Sequence, residues 1–547
     1  MIHYSFSCHT PTSQFVQIEL KIEIKIPNSV KLQLPAWRAG RYQIANYAQN
    51  IRSFSLFDSN NQPVFWEKAS KDCWVFNASE VGFYRVCYEY FAAKMDAGSS
   101  WVDDQQIYLN LVNCCFEVKG TTNKAYSFDF IFPGFPEQLC TLPKISKGKY
   151  EAVDFQQVAD STFLAAHQLT QWQILLNDIN IHCWIHGEVV FDQAEFLKSL
   201  QAFIKVQLED FGEFPEKEYH FIYQLLPYKH YHGVEHLRGT VITYGPAKSL
   251  TETKAMKDLL GVSSHEFYHA WNVCAIRPKE IFPYDFSKEN YTKSGWILEG
   301  ITSYMGDWYM LKSDLYLDQE YFSEMERVIN RVSQDFGWQN QNILESSFDL
   351  WIDGYQTGIP EKKQNIYANG ALIAWALDIH LRNSGSSLSK IMKQAFDRFG
   401  RKNKAYQDGS FWMMISRSTP IWDSTDFYQS FISGNKSIVD ELKKILPQIG
   451  LSLSENAHED IITRSLGLIH LENKIQRIHP KSPAYSKLMI GDEIKSIEHS
   501  NTTNISVYRS NGQLLTFEFT EPGGNFYPNY KLNLLDEKSD LFASWRS

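Results

Sequence analysis

An alternating run near the N-terminus places the strongest constraint on the fold of this chain. Residues 16–26, VQIELKIEIKI, put an apolar side chain at every second position from Val16 to Ile26, with polar side chains between them. Successive side chains of a β-strand point to opposite faces, so this pattern predicts a strand with one buried and one wet face. Further short strand-like runs, punctuated by Pro and Gly, follow as far as residue 165 or so. An antiparallel β domain is therefore predicted for residues 1–165.

The periodicity changes to that of a helix near Asp192. In DQAEFLKSLQAFIKVQLEDFG apolar residues recur at helical spacing, Asp192 and Glu195 form a candidate capping box, and Gly212 is a candidate stop. Helical segments dominate from there to about residue 445, and short strand-like runs return after it. We therefore predict a multidomain α+β chain with an α-rich middle domain at residues 166–450 and a further domain at residues 451–547.

The composition excludes several classes of protein. Apolar residues make up 44% and charged residues 21% of the 547 residues, and the net charge is −10. No Lys/Arg-rich block occurs, so nucleic acid is not expected as a partner. The longest apolar runs are too short for a transmembrane segment. No signal peptide is visible, so we expect a cytoplasmic protein unless a leader has been trimmed. The eight cysteines contain no C-x-x-C pair and are expected to be reduced and buried.

The segment GVSSHEFYHAWN, residues 261–272, carries His265, Glu266 and His269 in the order H-E-x-x-H. Residues four apart share one face of a helix, so both imidazoles can bind one metal ion. Glu266 lies about 100° round the helix, where it can reach water on the metal without being a ligand. Two histidines also fall four apart by chance, so the motif needs a third ligand elsewhere in the chain.

A third candidate ligand lies in SGWILEGITSYMGDWYMLK, residues 294–312. Glu299 interrupts an apolar helical face, where a carboxylate needs a partner. Taken alone it could be an exposed acid at the start of a helix, but beside the H-E-x-x-H helix a zinc ligand is the better interpretation. Two His and one Glu leave a fourth position open for water, which is the arrangement of a catalytic zinc site. Ser303, one turn later, is a candidate hydrogen-bond partner for this site.

These segments resemble those of a known family. HEFYHAWNVCAIRP followed by GWILEGITSY resembles the glycyl aminopeptidase family of thermolysin-like (gluzincin) zinc metallopeptidases. The similarity extends to LPAWRAGRYQIANYAQNI at residues 34–51, GVEHLRGTVI at 233–242 and NIYANGALIAWALDIHLR at 365–382. IHPKSPAYSKLMIGDEIKSI, at residues 478–497, resembles the core of a PDZ domain. The resemblance implies an N-terminal β domain, a thermolysin-like α-rich catalytic domain and a C-terminal PDZ-like domain.

The resemblance also implies roles for single residues. His265, His269 and Glu299 would hold one zinc ion (Zn2+) per chain. Glu266 would activate a zinc-bound water and then pass its proton to the leaving amine. Tyr367 matches the tyrosine that donates a hydrogen bond to the tetrahedral oxyanion in related enzymes. The alternative for Tyr367 is an ordinary half-buried tyrosine.

Substrate binding is expected on the GVEHLRGTVI segment. Thermolysin-like aminopeptidases carry an edge strand beside the cleft and use a Glu on it to bind the free α-amine, which implies substrate-binding roles for Gly233 and Glu235. Glu235 could instead be a surface acid at a strand end. His232 replaces a small residue and would narrow the first subsite, while residues 229–232, KHYH, are expected to form a polar loop. Asn369 stands where the family usually has Lys.

Together these observations predict a zinc-dependent aminopeptidase acting on peptide substrates. A preference for small N-terminal residues, Gly or Ala, is implied by the family. A peptide C-terminus is a second candidate partner, because TRSLGLIH at residues 463–470 could capture its carboxylate in the PDZ-like domain. Two alternatives stay open, namely a PDZ-guided zinc endopeptidase and a catalytically silent peptide-binding protein.

Overall fold

The chain forms two compact units. The computed structural model describes residues 2–119, 125–146, 148–356, 358–407, 409–419, 421–500, 502–520, 524–535 and 539–546. The first unit comprises Met1–Tyr316, Ser347–Thr357 and Leu388–Ser418, and the second comprises Leu317–Ser346, Gly358–Ser387 and Thr419–Ser547. Within the described ranges, no helix has the length and apolar character that crossing a membrane requires.

The N-terminal part of the first unit is built from β-strands, as the alternation predicts. Its strands are β1 (Ile2–Ser7), β2 (Phe15–Ile24), β3 (Asn28–Gln33), β4 (Ile51–Phe57), β5 (Trp66–Ser70), β6 (Cys73–Ala78), β7 (Gly82–Phe91), β8 (Trp101–Val102), β9 (Gln106–Asn110), β10 (Glu117–Val118), β11 (Tyr126–Ile131), β12 (Glu137–Cys140), β13 (Lys144–Ser146), β14 (Lys149–Ala152) and β15 (Thr162–Ala166). They form three sheets in the orders β13-β14-β11-β1-β2-β7-β4, β10-β3-β6-β5 and β12-β15-β9-β8.

Two details of this β domain differ from the prediction. Strand β2 buries every second residue, but it ends at Ile24, and Ile26 is exposed beyond it. The sheets are antiparallel except that β1 runs parallel to β11. The alternation within one strand fixes which side chains face the core but carries no information about the direction of a strand more than 100 residues away.

A fourth sheet of the first unit precedes the helix that carries the H-E-x-x-H motif. Its strands are β16 (Thr170–Leu176), β17 (Ile179–His186), β18 (Glu218–Leu225), β19 (His230–His236) and β20 (Gly239–Gly245), in the order β16-β17-β18-β20-β19. Strands β17, β18 and β20 are parallel, and β19 is an edge strand antiparallel to β20. His230–His232 therefore belong to a strand, so the prediction of a polar loop at 229–232 is wrong for these residues.

Helices are the main elements of the region predicted as α-rich, and four short α-helices lie outside that region among the described residues. The α-helices are α1 (Leu111–Cys114), α2 (Phe155–Ala159), α3 (Gln193–Phe211), α4 (Thr253–Tyr268), α5 (Thr302–Lys312), α6 (Asp318–Ser333), α7 (Ile343–Phe348), α8 (Leu350–Asp353), α9 (Ala368–Asn383), α10 (Leu388–Arg398), α11 (Ser410–Ser418), α12 (Ser424–Phe427), α13 (Ile438–Ile445), α14 (Ile461–Leu466) and α15 (Asp540–Arg546). Helix α3 begins and ends where predicted, because Asp192 accepts a hydrogen bond from the Glu195 N–H at 2.9 Å and Gly212 ends it at φ +75°.

The C-terminal part of the second unit is short-stranded. Strand β21 (Leu451–Asn456) pairs with β27 (Asn529–Leu534), and the residues between them form a sheet in the order β22-β23-β24-β25-β26. Its strands are β22 (Leu468–Leu471), β23 (Lys474–Ile478), β24 (Glu493–His499), β25 (Thr502–Tyr508) and β26 (Leu514–Thr520). This sheet buries a small core of its own, which includes Leu466, Ile475 and Ile505. The boundaries at 165 and 450 and the PDZ-like character of this part stay predictions.

The cysteines are free thiols, and their burial is mixed. Cys73, Cys114, Cys115, Cys140 and Cys183 are buried, whereas Cys8, Cys87 and Cys274 are only half-buried. The expectation of buried cysteines thus holds for the first group and is wrong for the second.

Candidate active site and metal centre

Helix α4 and the residue after it present the H-E-x-x-H motif. His265 and Glu266 lie in the last turn of α4, and His269 follows with helical backbone angles, φ −61° and ψ −21°. The two Nε2 atoms face each other at 3.1 Å. Ligands about 2 Å from a tetrahedral ion lie roughly 3.3 Å apart, so this spacing fits a metal ion between the two imidazoles.

Glu299 reaches the same place from a neighbouring segment. Its Oε2 lies 3.6 Å from His269 Nε2, and the ligand atoms of His265, His269 and Glu299 all lie within 4.8 Å of one another. Glu299 stands in a π-helical turn, Trp296–Ile301, rather than in the α-helix that its spacing predicts. Such turns occur frequently at functional sites. The structure therefore brings the three predicted ligands together, and the donor set of two nitrogens and one carboxylate fits zinc.

Hydrogen bonds orient these groups for a cation. His269 Nδ1–H donates to the Asn272 carbonyl at 2.9 Å, which leaves the Nε2 lone pair directed at the site. The Asn272 amide donates to the Ile297 carbonyl at 2.8 Å and to Thr302 Oγ1 at 2.9 Å, which connects the end of α4 to the turn that carries Glu299. Thr302, the residue before Ser303, makes this link, and a role for Ser303 stays a prediction.

Strand β19 brings two further predicted residues to the site. A Cβ on Gly233 would lie 2.2 Å from Glu266 Oε1, so the strand backbone lies directly against that carboxylate. Glu235, two residues on, points to the same side, and its carboxylate, that of Glu266 and His269 Nε2 lie within 4.8 Å of one another. Glu235 is therefore not a surface acid, and its exposed fraction is 6%.

The acids of the site are buried with too few partners. Glu235 Oε1 and Glu266 Oε2 have no hydrogen-bond partner among the described residues. Burial raises the pKa of the Glu235 carboxyl, and burial with the nearby acids raises that of Glu266 to about 8. A cation beside them would favour their charged forms. The pocket thus gathers more buried acids than the single charge of a protonated His269 would offset, which suits a bound cation.

The neighbouring histidines of β19 make contacts of another kind. His236 Nδ1 lies 3.2 Å from Asp160 Oδ1. His232 has Arg38 Nη2 at 3.4 Å and Asp96 Oδ1 at 3.9 Å, on the opposite ring nitrogens. Burial and the Arg38 guanidinium lower the pKa of His232 to about 3, so its ring is neutral.

Two family models match the chain. The M61 peptidase N-terminal domain matches residues 3–167, and the M61 glycyl aminopeptidase domain matches residues 258–373. The chain carries M61 peptidase domains. It is a metallo-aminopeptidase, and the M61 match at 258–373 contains the three candidate ligands, Glu266 and Tyr367.

Solved structures show the fold of this M61 protein in other molecules. An aminopeptidase N family protein from Idiomarina loihiensis aligns over 100% of both chains with a TM-score of 0.91 at 23% identity, and the two share one fold. A mutant M1 zinc metallopeptidase from Deinococcus radiodurans aligns over 80% of this chain and 94% of its own, with a TM-score of 0.49 at 11% identity. The second likeness is too distant to carry an argument. No curated protein matches the chain.

The remaining M61 motif residues lie in the second unit. Tyr367 is half-buried and directly precedes helix α9, with helical backbone angles. Asn369, in the first turn of α9, is buried and lines a cavity of about 170 Å³ together with Phe336 and Ile373. The role of Tyr367 stays a prediction.

A second group of potential ligands lies away from the M61 motif. His182, Glu218 and His220 present ligand atoms within 4.8 Å of one another on strands β17 and β18. However, Trp184 Nε1–H donates to His220 Nδ1 at 3.1 Å, so the proton of that neutral ring must lie on Nε2. A metal-binding histidine needs its second nitrogen as a donor. Glu218 is also paired with Arg238, so the chemistry of this group opposes a metal ion.

Proposed function

We propose that this protein is a zinc-dependent aminopeptidase that removes small N-terminal residues, Gly or Ala by the family's preference, from peptides. One observation carries the proposal. A buried carboxylate, Glu235, lies within 4.8 Å of both the candidate base Glu266 and the candidate ligand His269. A peptide whose ammonium group pairs with Glu235 would place its first peptide bond, and not an internal one, beside the metal.

The metal would be held by His265 Nε2, His269 Nε2 and the Glu299 carboxylate, with one zinc ion per chain. When bound, zinc would lower the pKa of the attacking water and polarise the scissile carbonyl. The Asn272 carbonyl keeps His269 in the tautomer that ligation requires.

Glu266 is the proposed general base. Its carboxylate lies against the backbone of β19 at Gly233, where an extended substrate would pass. It accepts the proton of the attacking water and returns it to the leaving amine, which balances the proton over the reaction. Tyr367 is proposed, from its motif, to donate a hydrogen bond to the oxyanion in the transition state.

Glu235 is the proposed anchor for the substrate amine. An ammonium group that enters a partly dry cleft loses its hydration and needs a counter-charge. Glu235 Oε1 is buried, with no hydrogen-bond partner among the described residues, and can accept from that group. A blocked N-terminus would leave the carboxylate unpaired and should bind poorly.

The test compares Gly-coumarin with acetyl-Gly-coumarin. We expect Glu235→Gln to lower kcat/KM for the free amine. The corresponding loss of transition-state stabilisation should be about 2–3 kcal/mol, as for a hydrogen bond to a charged group. Zinc content should not change, because Glu235 is not a ligand. Glu188→Gln, which alters an exposed acid of the same unit, is the control. Equal cleavage of both substrates by the wild type, or internal cleavage of blocked peptides, would support the endopeptidase alternative.

The C-terminal sheet supports a second, additional proposal. Strand β22 lies at the edge of the sheet and follows Gly467, which stands at φ +66° after helix α14. An edge strand can pair with an extended peptide, which is how PDZ domains bind their ligands. We propose that this PDZ-like part binds the C-terminus of peptide substrates.

A further inference from the structure

A short segment of the N-terminal β domain reaches the active site. Residues 38–42, Arg-Ala-Gly-Arg-Tyr, lie within the motif LPAWRAGRYQIANYAQNI, for which the proposed mechanism has no use. Two of these residues touch acids of the site. Gly40 lies against Glu235, and the hydroxyl of Tyr42 faces Glu299.

Gly40 leaves no room for any side chain. A Cβ at this position would lie 2.2 Å from Glu235 Oε2, 2.5 Å from Oε1 and 2.6 Å from the carboxyl carbon. The backbone also stands at φ +71°, in the left-handed region that favours glycine. The Glu235 carboxylate therefore packs directly against the backbone of Gly40.

Tyr42 is buried, with an exposed fraction of 4%. Its hydroxyl donates a long hydrogen bond of 3.4 Å to Glu299 Oε1. The other carboxylate oxygen of Glu299, Oε2, is the one that faces His269. A tyrosine hydroxyl carries its proton near neutral pH, so it can donate to the carboxylate. The ring of Trp351 lies edge-on to that of Tyr42, with centroids 6.0 Å apart, and holds it in place.

We infer that the β domain contributes two residues to the active site, Gly40 and Tyr42. Gly40 is a specificity-determining residue, since it lets the Glu235 carboxylate face the substrate amine. Tyr42 is a positioning residue, since it fixes the Glu299 carboxylate with one oxygen free for the metal. The inference rests on the proposed aminopeptidase function and adds the side of the site that the H-E-x-x-H helix and strand β19 do not form.

Gly40→Ala tests the first half. The added methyl must push the Glu235 carboxylate aside, so kcat/KM for Gly-coumarin should fall by at least 10-fold, mainly through KM, with zinc content unchanged. Gly148→Ala is the matched control, because Gly148 stands at φ +74° in the same domain with nothing within 4 Å of its Cβ position. It should change kcat/KM by less than about two-fold.

A double-mutant comparison shows whether the effect runs through Glu235. If it does, Gly40→Ala should cost little in a Glu235→Ala background, because the clashing group has gone. An equal loss in both backgrounds would overturn the specificity role. Glu235→Asp, which shortens the acid by one methylene, should restore part of the activity of Gly40→Ala, and failure to restore any would count against the contact.

Tyr42→Phe tests the second half with a readout other than activity. Zinc affinity, measured by competition with a chromophoric chelator, should weaken by about 10–100-fold, as for the loss of a hydrogen bond to a metal ligand. Tyr88→Phe is the control, because Tyr88 is also buried in the β domain and donates to the Cys114 carbonyl at 2.6 Å, away from the site. Unchanged zinc affinity in Tyr42→Phe, or the same loss in Tyr88→Phe, would overturn the positioning role.

The wild type separates this inference from the proposed function. Wild-type protein that holds no zinc, or cleaves free and acetylated substrates equally, contradicts the proposed function. Wild-type protein that passes both tests, while Gly40→Ala and Tyr42→Phe behave like it, contradicts the inference alone.

Discussion

At the scale of single residues, the site gathers three buried carboxylates, more than His269 beside them can neutralise. Glu235, Glu266 and Glu299 are all nearly fully buried, with exposed fractions of 6%, 5% and 3%. Burial of unpaired charge is costly. A metal ion and a substrate ammonium group are the two positive charges that would offset it, and the proposed function supplies both.

Substitutions of the proposed metal ligands and of the proposed base are expected to have different effects on zinc content. His265→Ala or His269→Ala should lose zinc, because two remaining protein ligands hold the ion poorly. Glu266→Gln should keep the metal and lose nearly all turnover. Metal analysis and Gly-coumarin assays on the same preparations check this, and full activity in chelator-treated protein would contradict the zinc proposal.

The pH dependence of stability is expected to reveal the buried acids. The pKa of Glu266 in the folded, metal-free protein is raised to about 8, above its value in the unfolded chain, so the folded state holds the extra proton between these values. The free energy of unfolding of the metal-free protein should therefore fall as pH rises from about 5 to 8. Glu266→Gln should flatten this slope in denaturant titrations. An unchanged slope would mean that Glu266 is already charged at pH 5.

Tyr367→Phe is expected to act on the transition state. Loss of the proposed hydrogen bond to the oxyanion should lower kcat by roughly 10²–10³-fold with little change in KM. Steady-state kinetics on Gly-coumarin separate the two parameters. An effect on KM alone would make Tyr367 a substrate contact only.

At the scale of secondary-structure elements, the site depends on three close approaches. The end of helix α4 is joined to the π-helical turn by Asn272, and the backbone of β19 lies against Glu266 at Gly233. The third is between α4 and α5, where Ser264 Oγ donates to the Gly306 carbonyl at 2.9 Å and a Cβ on Gly306 would lie 3.0 Å from His265 Cα. The absence of a side chain at Gly233 and at Gly306 lets the second and third pairs of elements meet.

Gly233→Ala is expected to impair the proposed base, Glu266, without affecting zinc binding. The new Cβ would lie 2.2 Å from Glu266 Oε1, so the carboxylate must turn away. We expect kcat to fall by roughly 10–100-fold, which is at or below the lower end of the usual contribution of a general base because the displaced carboxylate is still present. Zinc content should stay at the wild-type value. Gly134→Ala, at a position with nothing within 4 Å, is the control. Wild-type kcat in Gly233→Ala would show that β19 does not position Glu266.

At the scale of the whole molecule, the residues proposed for metal, base and amine all lie in the first unit, and the C-terminal sheet lies in the second. Strands β21 and β27 pair so that Asn456 lies opposite Asn529. Residues 457–528 are therefore an insertion whose two ends lie side by side. Beyond it, Trp545 of helix α15 is fully buried beside Tyr321 and Trp375. Truncation of the whole C-terminus would therefore unfold more than the sheet formed by β22–β26.

Excision of residues 457–528, with Asn456 joined to Asn529 through an Asn-Gly turn, is the cleaner test of that part. The remaining enzyme should keep its zinc and its kcat/KM for Gly-coumarin, because the site residues are untouched. Longer peptides with a free C-terminus should lose activity relative to their amidated forms. If long and short substrates are affected alike, the C-terminal sheet does not guide substrates.

The sequence by itself determined which groups are candidates for the centre. His265, Glu266 and His269 are joined by helical spacing, which is local, and Glu299 stood out because a carboxylate does not belong in an apolar face. The N-terminal strands and the ends of helix α3 were equally local, since alternation and capping act over a few residues. Only the tertiary structure decided that Glu299 lies in a π-helical turn, that Asn272 and Thr302 join the two ligand segments, and that β1 pairs in parallel with β11. It also decided that Gly40 and Tyr42 lie against Glu235 and Glu299, acids about 200 residues or more away in the chain. Packing between distant segments depends on the shapes of both partners, and no spacing rule in one sequence carries that information.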